Sequence, residues 1–446
     1  MGVLTQPSPK DLDVLDATFA CPDLATFCGL DELGLEVTGQ RLTTHRAVLA
    51  CRLAGTDPWC RRCGCQGEPR DSVTRRLAHE PLGWRPTTLL VTIRRYACTG
   101  CGHVWRQDST AAAEPKAKLS RRALRWALEA IVCFHLSMAR VAQALGVSWA
   151  TANRAVLDEG RRVLIADPTR FDGVTALGVD EHVWRHTRRG DKYVTVIIDL
   201  TAVRAGTGPA RLLDMVEGRS KQAFAAWLAA RDQAWRDNLE VVAMDGFSGF
   251  KTATSDQLPD AVAVMDPFHV VRLAGDALDA CRRRVQQQLH GHRGRRDDPL
   301  YRARRLLHTG TSLLTERQHT RLDVLFAVDA HVEVQATWAV YQRVVAAYRH
   351  PDRTTGRAEL QAVIDTLAKT VPATLSEVAT LGRTLRKRAG DILAYFDRPG
   401  TSNGPTEAIN GRLEHLRGTA LGFRNLTNYT ARALLESGGF RPRLHP

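Results

Sequence analysis

The chain has 446 residues, enough for about three domains with a sizeable core. Lys and Arg outnumber Asp and Glu by 62 to 48, for a formal charge of +14; neutralising phosphates releases condensed counterions, so this excess favours nucleic acid as the partner. No charged segment followed by an apolar one opens the chain, and no apolar run approaches the roughly 20 residues that cross a bilayer, so neither a leader nor a membrane partner is read and the cytoplasm is the expected compartment.

In that compartment ten cysteines stay reduced, which makes metal binding the first question to ask of them. Four fall into two CxxC units, Cys60 with Cys63 and Cys98 with Cys101. Each unit can bend into a knuckle that points two thiolates at one ion, and two knuckles complete a tetrahedral structural Zn2+ site. The residues between them, notably Leu89–Tyr96, read as paired strands that bring the second knuckle back to the first. An N-terminal, β-rich zinc-ribbon domain is therefore expected over residues 1–115. The interval between the pairs is longer than a ribbon usually has, and Cys65 and His103 stand as substitute ligands. Cys21, Cys28, Cys51, Cys133 and Cys281 lack such partners and read as small buried hydrophobes.

Residues 119–165 turn helical, with Leu124, Leu128, Ile131 and Val132 on one face. A short helix ended by Gly146, a tight turn and a second helix capped by Ser148 follow. Ala142, Gly146 and Ala152 leave room for a close crossing, the layout of a DNA-binding helix-turn-helix. Its second helix offers Trp149, Thr151, Asn153 and Arg154 near its start, where a recognition helix meets base edges. An ordinary helical hairpin is the competing reading.

From Gly173 the periodicity shortens. Apolar runs ending near Asp180 and Asp199 read as two strands, a short third is expected around Ala202–Gly206, and Ser220 opens a helix through Trp235. A fourth strand closes at Asp245 and a fifth covers AspAlaValAlaValMet, ending at Met265. Three strands, then helix, strand, helix, strand is the order of a ribonuclease H-like α/β core, here residues 173–270 with C-terminal helices from 400–446. In such a sheet Asp180 and Asp245 become neighbours, whereas Glu181 points to the opposite strand face from Asp180.

An all-helical insertion, residues 271–396, separates the two parts of that core. Its run CRRRVQQQLHGHRGRR, Cys281 to Arg296, is equally compatible with a grip on a DNA backbone and with a solvated charged helix. Glu407 then sits in SNGPTEAIN on a late helix. Two carboxylates at strand ends and a third on a helix are what holds a pair of divalent cations against a phosphodiester. Two of them have an innocent alternative, Asp245 as a cap for the helix opening at Ser248 and Glu407 as a partner of its helix dipole; Asn403 and Asn410 read as hydrogen-bond partners of the glutamate loop or of DNA, with helix capping by Asn403 the competing reading.

The CxxC pairs, the helix-turn-helix, GVDEH around Asp180, AMDGFSGF around Asp245, MDPFHV at Met265–Val270, and SNGPTEAIN followed by GFRNLTNY occur in an order that resembles the ISL3 insertion-sequence transposases over nearly the whole chain. The resemblance implies a DDE catalytic triad, carried onto Asp180, Asp245 and Glu407, and a helical insertion ahead of the glutamate. It also implies a bacterial, nucleoid-associated enzyme acting on double-stranded DNA, both element ends and target. Pairing two ends calls for a homodimer or higher assembly. Many relatives carry a basic or aromatic residue where this chain has the Pro267 that follows Asp266, so no role is read for Asp266.

The expected fold class is thus α+β multidomain: zinc ribbon, helix-turn-helix, and a ribonuclease H-like core with a large helical insertion. The expected chemistry is cleavage at terminal inverted repeats and strand transfer, with Mg2+ held by Asp180, Asp245 and Glu407 and Mn2+ able to substitute. Two alternatives stay open: a ribonuclease H-like nuclease or resolvase without strand transfer, and a non-cutting DNA-binding regulator.

Overall fold

A computed structural model describes residues 23–187, 192–369 and 371–445; Cys21 lies outside them. The protein is mixed α/β and divides into two compact units, Met1–Leu164 with Arg443–Pro446, and Ile165–Pro442. Among the described residues no helix is long and apolar enough to cross a membrane.

Among the described residues the first unit begins with α1 (Leu24–Phe27) and a five-stranded sheet of β1 (Leu35–Leu42), β2 (Ala47–Leu53), β3 (Gly67–Leu82), β4 (Arg85–Cys98) and β5 (Val104–Arg106). β3 and β4 form a long antiparallel hairpin, and β2 runs parallel to β4. Alternate residues Leu77, Leu89, Val91 and Ile93 bury one face with Cys28 and Cys51, the core role read for those two cysteines. Helices α2 (Arg121–Val132), α3 (Met138–Leu145) and α4 (Trp149–Gly160) follow. Ser120, Ser137 and Ser148 cap all three N-termini through side-chain oxygens, each cap contributing about 1 kcal/mol. Gly146, at φ +63°, ends α3 in the left-handed conformation that glycine adopts without strain.

The second unit is built on β6 (Ala176–Val183), β7 (Tyr193–Asp199) and, after the short α5 (Thr201–Ala205), β8 (Arg211–Glu217). Then come α6 (Lys221–Ala229), α7 (Gln233–Asp237), β9 (Val241–Met244), α8 (Ser248–Gln257) and β10 (Val262–Met265). The sheet order is β10-β9-β6-β7-β8, with β6, β7 and β8 antiparallel and β9 and β10 parallel to β6. Two expectations are corrected. The third strand is not at Ala202–Gly206, a helical turn closed by left-handed Gly206, but at Arg211–Glu217. Asp214 interrupts that apolar run and lies at a register shift, where its carboxylate accepts a hydrogen bond from Trp227 Nε1 at 2.9 Å. The helix expected from Ser220 to Trp235 is two helices, because Asp232 caps a new start through Trp235 N–H.

A helical region follows: α9 (Pro267–His290), α10 (Pro299–Ala303), α11 (Glu316–Phe326), α12 (Val332–Arg349), α13 (Arg353–Lys369), α14 (Ser376–Lys387) and α15 (Ala389–Asp397). It has its own core, including Leu278, Val285, Val344, Leu360 and Ile392. In the cationic run after Cys281, Arg282 is buried against Gln286 and Asp279, and Arg284 bridges Glu333 and Glu377; these two arginines serve packing. Helices α16 (Gly404–Thr419), α17 (Leu426–Ser437) and α18 (Arg441–Leu444) end the chain.

Candidate functional site

Two loops of like design bring four thiols together in the first unit. Gly64 N–H donates to Cys60 O at 2.9 Å and Gly102 N–H to Cys98 O at 3.1 Å, and both glycines have positive φ. Separations are 3.7 Å for Cys60–Cys101, 3.3 Å for Cys63–Cys98 and 3.4 Å for Cys63–Cys101. A tetrahedron with metal–sulfur bonds of ~2.3 Å has edges of about 3.8 Å, so the cluster is sized for one ion. All four Sγ atoms lie within 4.8 Å of one another and could hold a metal. The Cys101 N–H is the main reason that the Cys98 thiol is held down, at about 6, favouring the thiolate that a metal needs. Cys65 and His103 act here through their backbones: Cys65 O accepts from Cys60 N–H, and His103 O from Cys98 N–H. Tyr96 and Trp105 stack beneath, with Trp105 Nε1 donating to Asp57 O.

The α3–α4 pair carries the residues read as a DNA contact. Trp149, first in α4, is 56% exposed, and Arg154 is exposed. Asn153 is half-buried, and the Thr151 hydroxyl lies 2.9 Å from that of Ser148, within the cap of the helix. Thr151 and Arg154 border a cavity of about 770 Å3 shared with Lys116, Lys118 and Arg162.

In the second unit the three acids gather at one end of the sheet. β6 and β9 run parallel with Val179 opposite Met244, so Asp180 and Asp245 emerge at the next step of the register. Asp245 does not cap α8; its carboxylate accepts from Phe247 N–H at 2.8 Å and shapes the loop. Glu407 lies exposed in the first turn of α16. One turn on, Asn410 Nδ2 donates to Asp180 Oδ2 at 3.0 Å. Glu181 is turned away and pairs with Arg219. Burial, opposed by the Glu181 N–H and reinforced by the charges of Asp245, Glu181 and Glu407, lifts the Asp180 carboxyl to about 7. The acids sense one another electrostatically but stand looser than the thiols, which are the group of metal-ligand type closing within 4.8 Å among the described residues.

Neighbours beyond the three carboxylates hold these acids in place. A Cβ on Gly178 would lie 2.4 Å from Thr406 Oγ1 and 3.3 Å from Asn403 Oδ1, so α16 seats on β6 because that residue is glycine. Asp266 caps α9 through Phe268 N–H and accepts from Asn403 N–H at 2.7 Å and Ser402 Oγ at 3.2 Å, fastening the start of α16. Asn403 is the N-cap residue, yet its side chain makes no cap bond. Arg388, between α14 and α15, bonds Asp391 at 2.6 Å and donates to Gly246 O at 3.0 Å, holding the Asp245 loop from the helical region; Lys251 reaches the same Asp391. His182, two residues from Asp180, meets Tyr429 Oη at 2.8 Å, and Tyr429 donates to Leu413 O. Only a local signal, the Asp-Pro start of α9, could have pointed to Asp266.

The ISL3 transposase family model matches residues 177–433, more than half of the chain and the stretch from β6 to α17. The chain belongs to the ISL3 family of transposases. It is similar to the transposase for insertion sequence element IS1557 of Mycobacterium tuberculosis, in both strain CDC 1551 / Oshkosh and strain ATCC 25618 / H37Rv. Each is 25% identical over 339 residues, covering 71% of this chain and 71% of the relative. In this ISL3 transposase all three acids fall inside the matched segment, whereas the thiol cluster and the α3–α4 pair precede it.

Proposed function

We propose that this chain is a DDE transposase that binds the terminal inverted repeats of an insertion sequence, cuts at them and joins the freed ends to target DNA, in a bacterial cytoplasm at the nucleoid. The observation that carries the reading is the emergence of Asp180 and Asp245 one step past the paired Val179 and Met244 of β6 and β9, with Asn410 of α16 bonded to Asp180 and the charge of Glu407 felt there. The sheet order, with two strands parallel to a central strand of an antiparallel trio, supports a ribonuclease H-like core.

The donor set suits a hard divalent cation. Three carboxylates offer oxygens only, and Asn410, whose Oδ1 is buried without a hydrogen-bond partner, adds a fourth oxygen-bearing side chain beside Asp180. Asp180, Asp245 and Glu407 would hold Mg2+, or Mn2+ in its place. When bound, a pair of such ions supplies water activation at one side of the phosphorus and charge neutralisation at the leaving oxygen on the other. Asp180 must give up its proton to serve, and the charge of a bound cation would offset the burial and like charges that raise its pKa. Asn410 and Asp266 keep the helix of Glu407 against the strand of Asp180. Water attack at the element end breaks a P–O bond and frees a 3′-hydroxyl, and that hydroxyl, attacking a target phosphodiester at the same acids, would displace the target strand's own 3′-oxygen, which leaves as a hydroxyl. Cys60, Cys63, Cys98 and Cys101 would hold a structural Zn2+, and Trp149, Asn153 and Arg154, with Thr151 anchoring the helix start, would read duplex DNA.

Incubating the purified chain with Mg2+ and labelled duplex from the DNA flanking its gene tests the reading. Joined products are expected; cleavage without joining indicates a nuclease, and neither indicates a regulator. Asp180→Ala, Asp245→Ala and Glu407→Ala should each abolish cleavage while duplex binding persists, and full activity in any one removes that residue from the site.

A further inference from the structure

The tips of the two hairpins in the first unit carry a surface that the reading above leaves unused. Trp84, at the β3–β4 turn, is 98% exposed, and Leu42, at the end of β1, is 67% exposed. The tips are tied together, since Arg85 Nε donates to Thr43 O at 3.1 Å. They are also tied to the α3–α4 turn: a Cβ on Gly146 would lie 3.0 Å from Pro86 Cβ. Three residues beyond Gly146 stands half-exposed Trp149.

The charge on this surface is one-sided. Residues 39–46, 82–87 and 145–154 contain Arg41, Arg46, Arg85, Arg154 and His45 and not one Asp or Glu, in a chain where acids make up 48 of 446 residues. Arg41, His45 and Arg46 are exposed. Clustered cations interleaved with exposed aromatic and apolar side chains suit a phosphodiester backbone, where cations pair with phosphates and flat rings pack on sugars.

We propose that the joined hairpin tips form a wing that grips the DNA backbone next to the segment read by α4, with Arg41, Arg46 and Trp84 as its contacts. This rests on the reading of α4 as a recognition helix. It adds a sequence-independent hold to that helix.

Anisotropy of the full-length chain with labelled flanking duplex, and with an unrelated duplex of equal length, tests it across a salt series. The Arg41→Ala/Arg46→Ala double variant should weaken both complexes alike and flatten the slope of log affinity against log salt by roughly 0.9 per lost contact. Trp84→Ala should weaken both complexes alike, since a backbone contact carries no sequence preference. An unchanged circular dichroism spectrum is expected for each, since these side chains are exposed. Wild-type affinity and slope in all of them, while Asn153→Ala loses preference for the flanking duplex, overturns the wing and leaves the helix reading standing. A fall in molecular mass with DNA affinity intact also overturns it, assigning the tips to contact with a second copy. If Asn153→Ala changes nothing and the wild type shows no preference, the helix reading fails instead, and the wing with it.

Discussion

Asp180 carries a conflict that the metal-free protein resolves by protonation. Burial, with the charges of Asp245, Glu181 and Glu407, raises its carboxyl from the ordinary 3.8 to about 7. The folded state therefore holds this proton more tightly than the unfolded chain. The stability that the proton brings is complete below about pH 4 and is lost as pH climbs through about 7. Urea denaturation of metal-free protein on either side of that window should show the loss, and Asp180→Asn should flatten it. An equally steep profile in the variant would assign the pH response elsewhere. Gly178 is the second sensitive point. Gly178→Ala puts a methyl group 2.4 Å from Thr406 Oγ1, so we expect a cost of about 1–3 kcal/mol in urea denaturation and loss of cleavage, with the acids themselves untouched.

At the scale of elements, the four-thiol cluster closes β3, β4 and β5 at one end, where Cys60, Tyr96, Cys98 and Trp105 form a small core of their own. So small a core would depend on the ion proposed for its four thiols. Cys60→Ser or Cys98→Ser should lower zinc content, measured by atomic absorption, and weaken duplex binding; unchanged zinc in both variants would contradict the assignment. Much of this level was legible in the chain itself. CxxC spacing marked the thiols, and Gly146 and Ser148 marked the end of α3 and the start of α4, because capping is a local interaction between residues a few positions apart. β8 was misplaced for a local reason too, since Asp214 interrupts its apolar run. The contacts that hold the acids were not legible. Arg388 lies 142 residues from the carbonyl it holds at Gly246, and Asp266 lies 137 from Asn403, distances that no periodicity encodes.

Across the molecule, the chain leaves its first unit at Leu164 and returns to it at Arg443. The returning segment is anchored: Leu444 is buried, its carbonyl accepts from Arg125 Nη2 of α2, and His445 meets Phe134 edge-on. Deleting residues 443–446 should cost about 2 kcal/mol of local stability, the value of one buried leucine, read as faster amide exchange in α2. Metal uptake by the four thiols should be unaffected. Exchange in α2 at the wild-type rate would show that the anchor is dispensable.

The seat of α16 on Gly178 also bears on how such genes decay. Glycine alone lacks a Cβ, so every missense change in that codon installs one against Thr406 and Asn403. Among genomic copies that stay active, this position is expected to keep its glycine. A copy with an intact acidic triad can thus be silenced by a single nucleotide two residues upstream of its first aspartate.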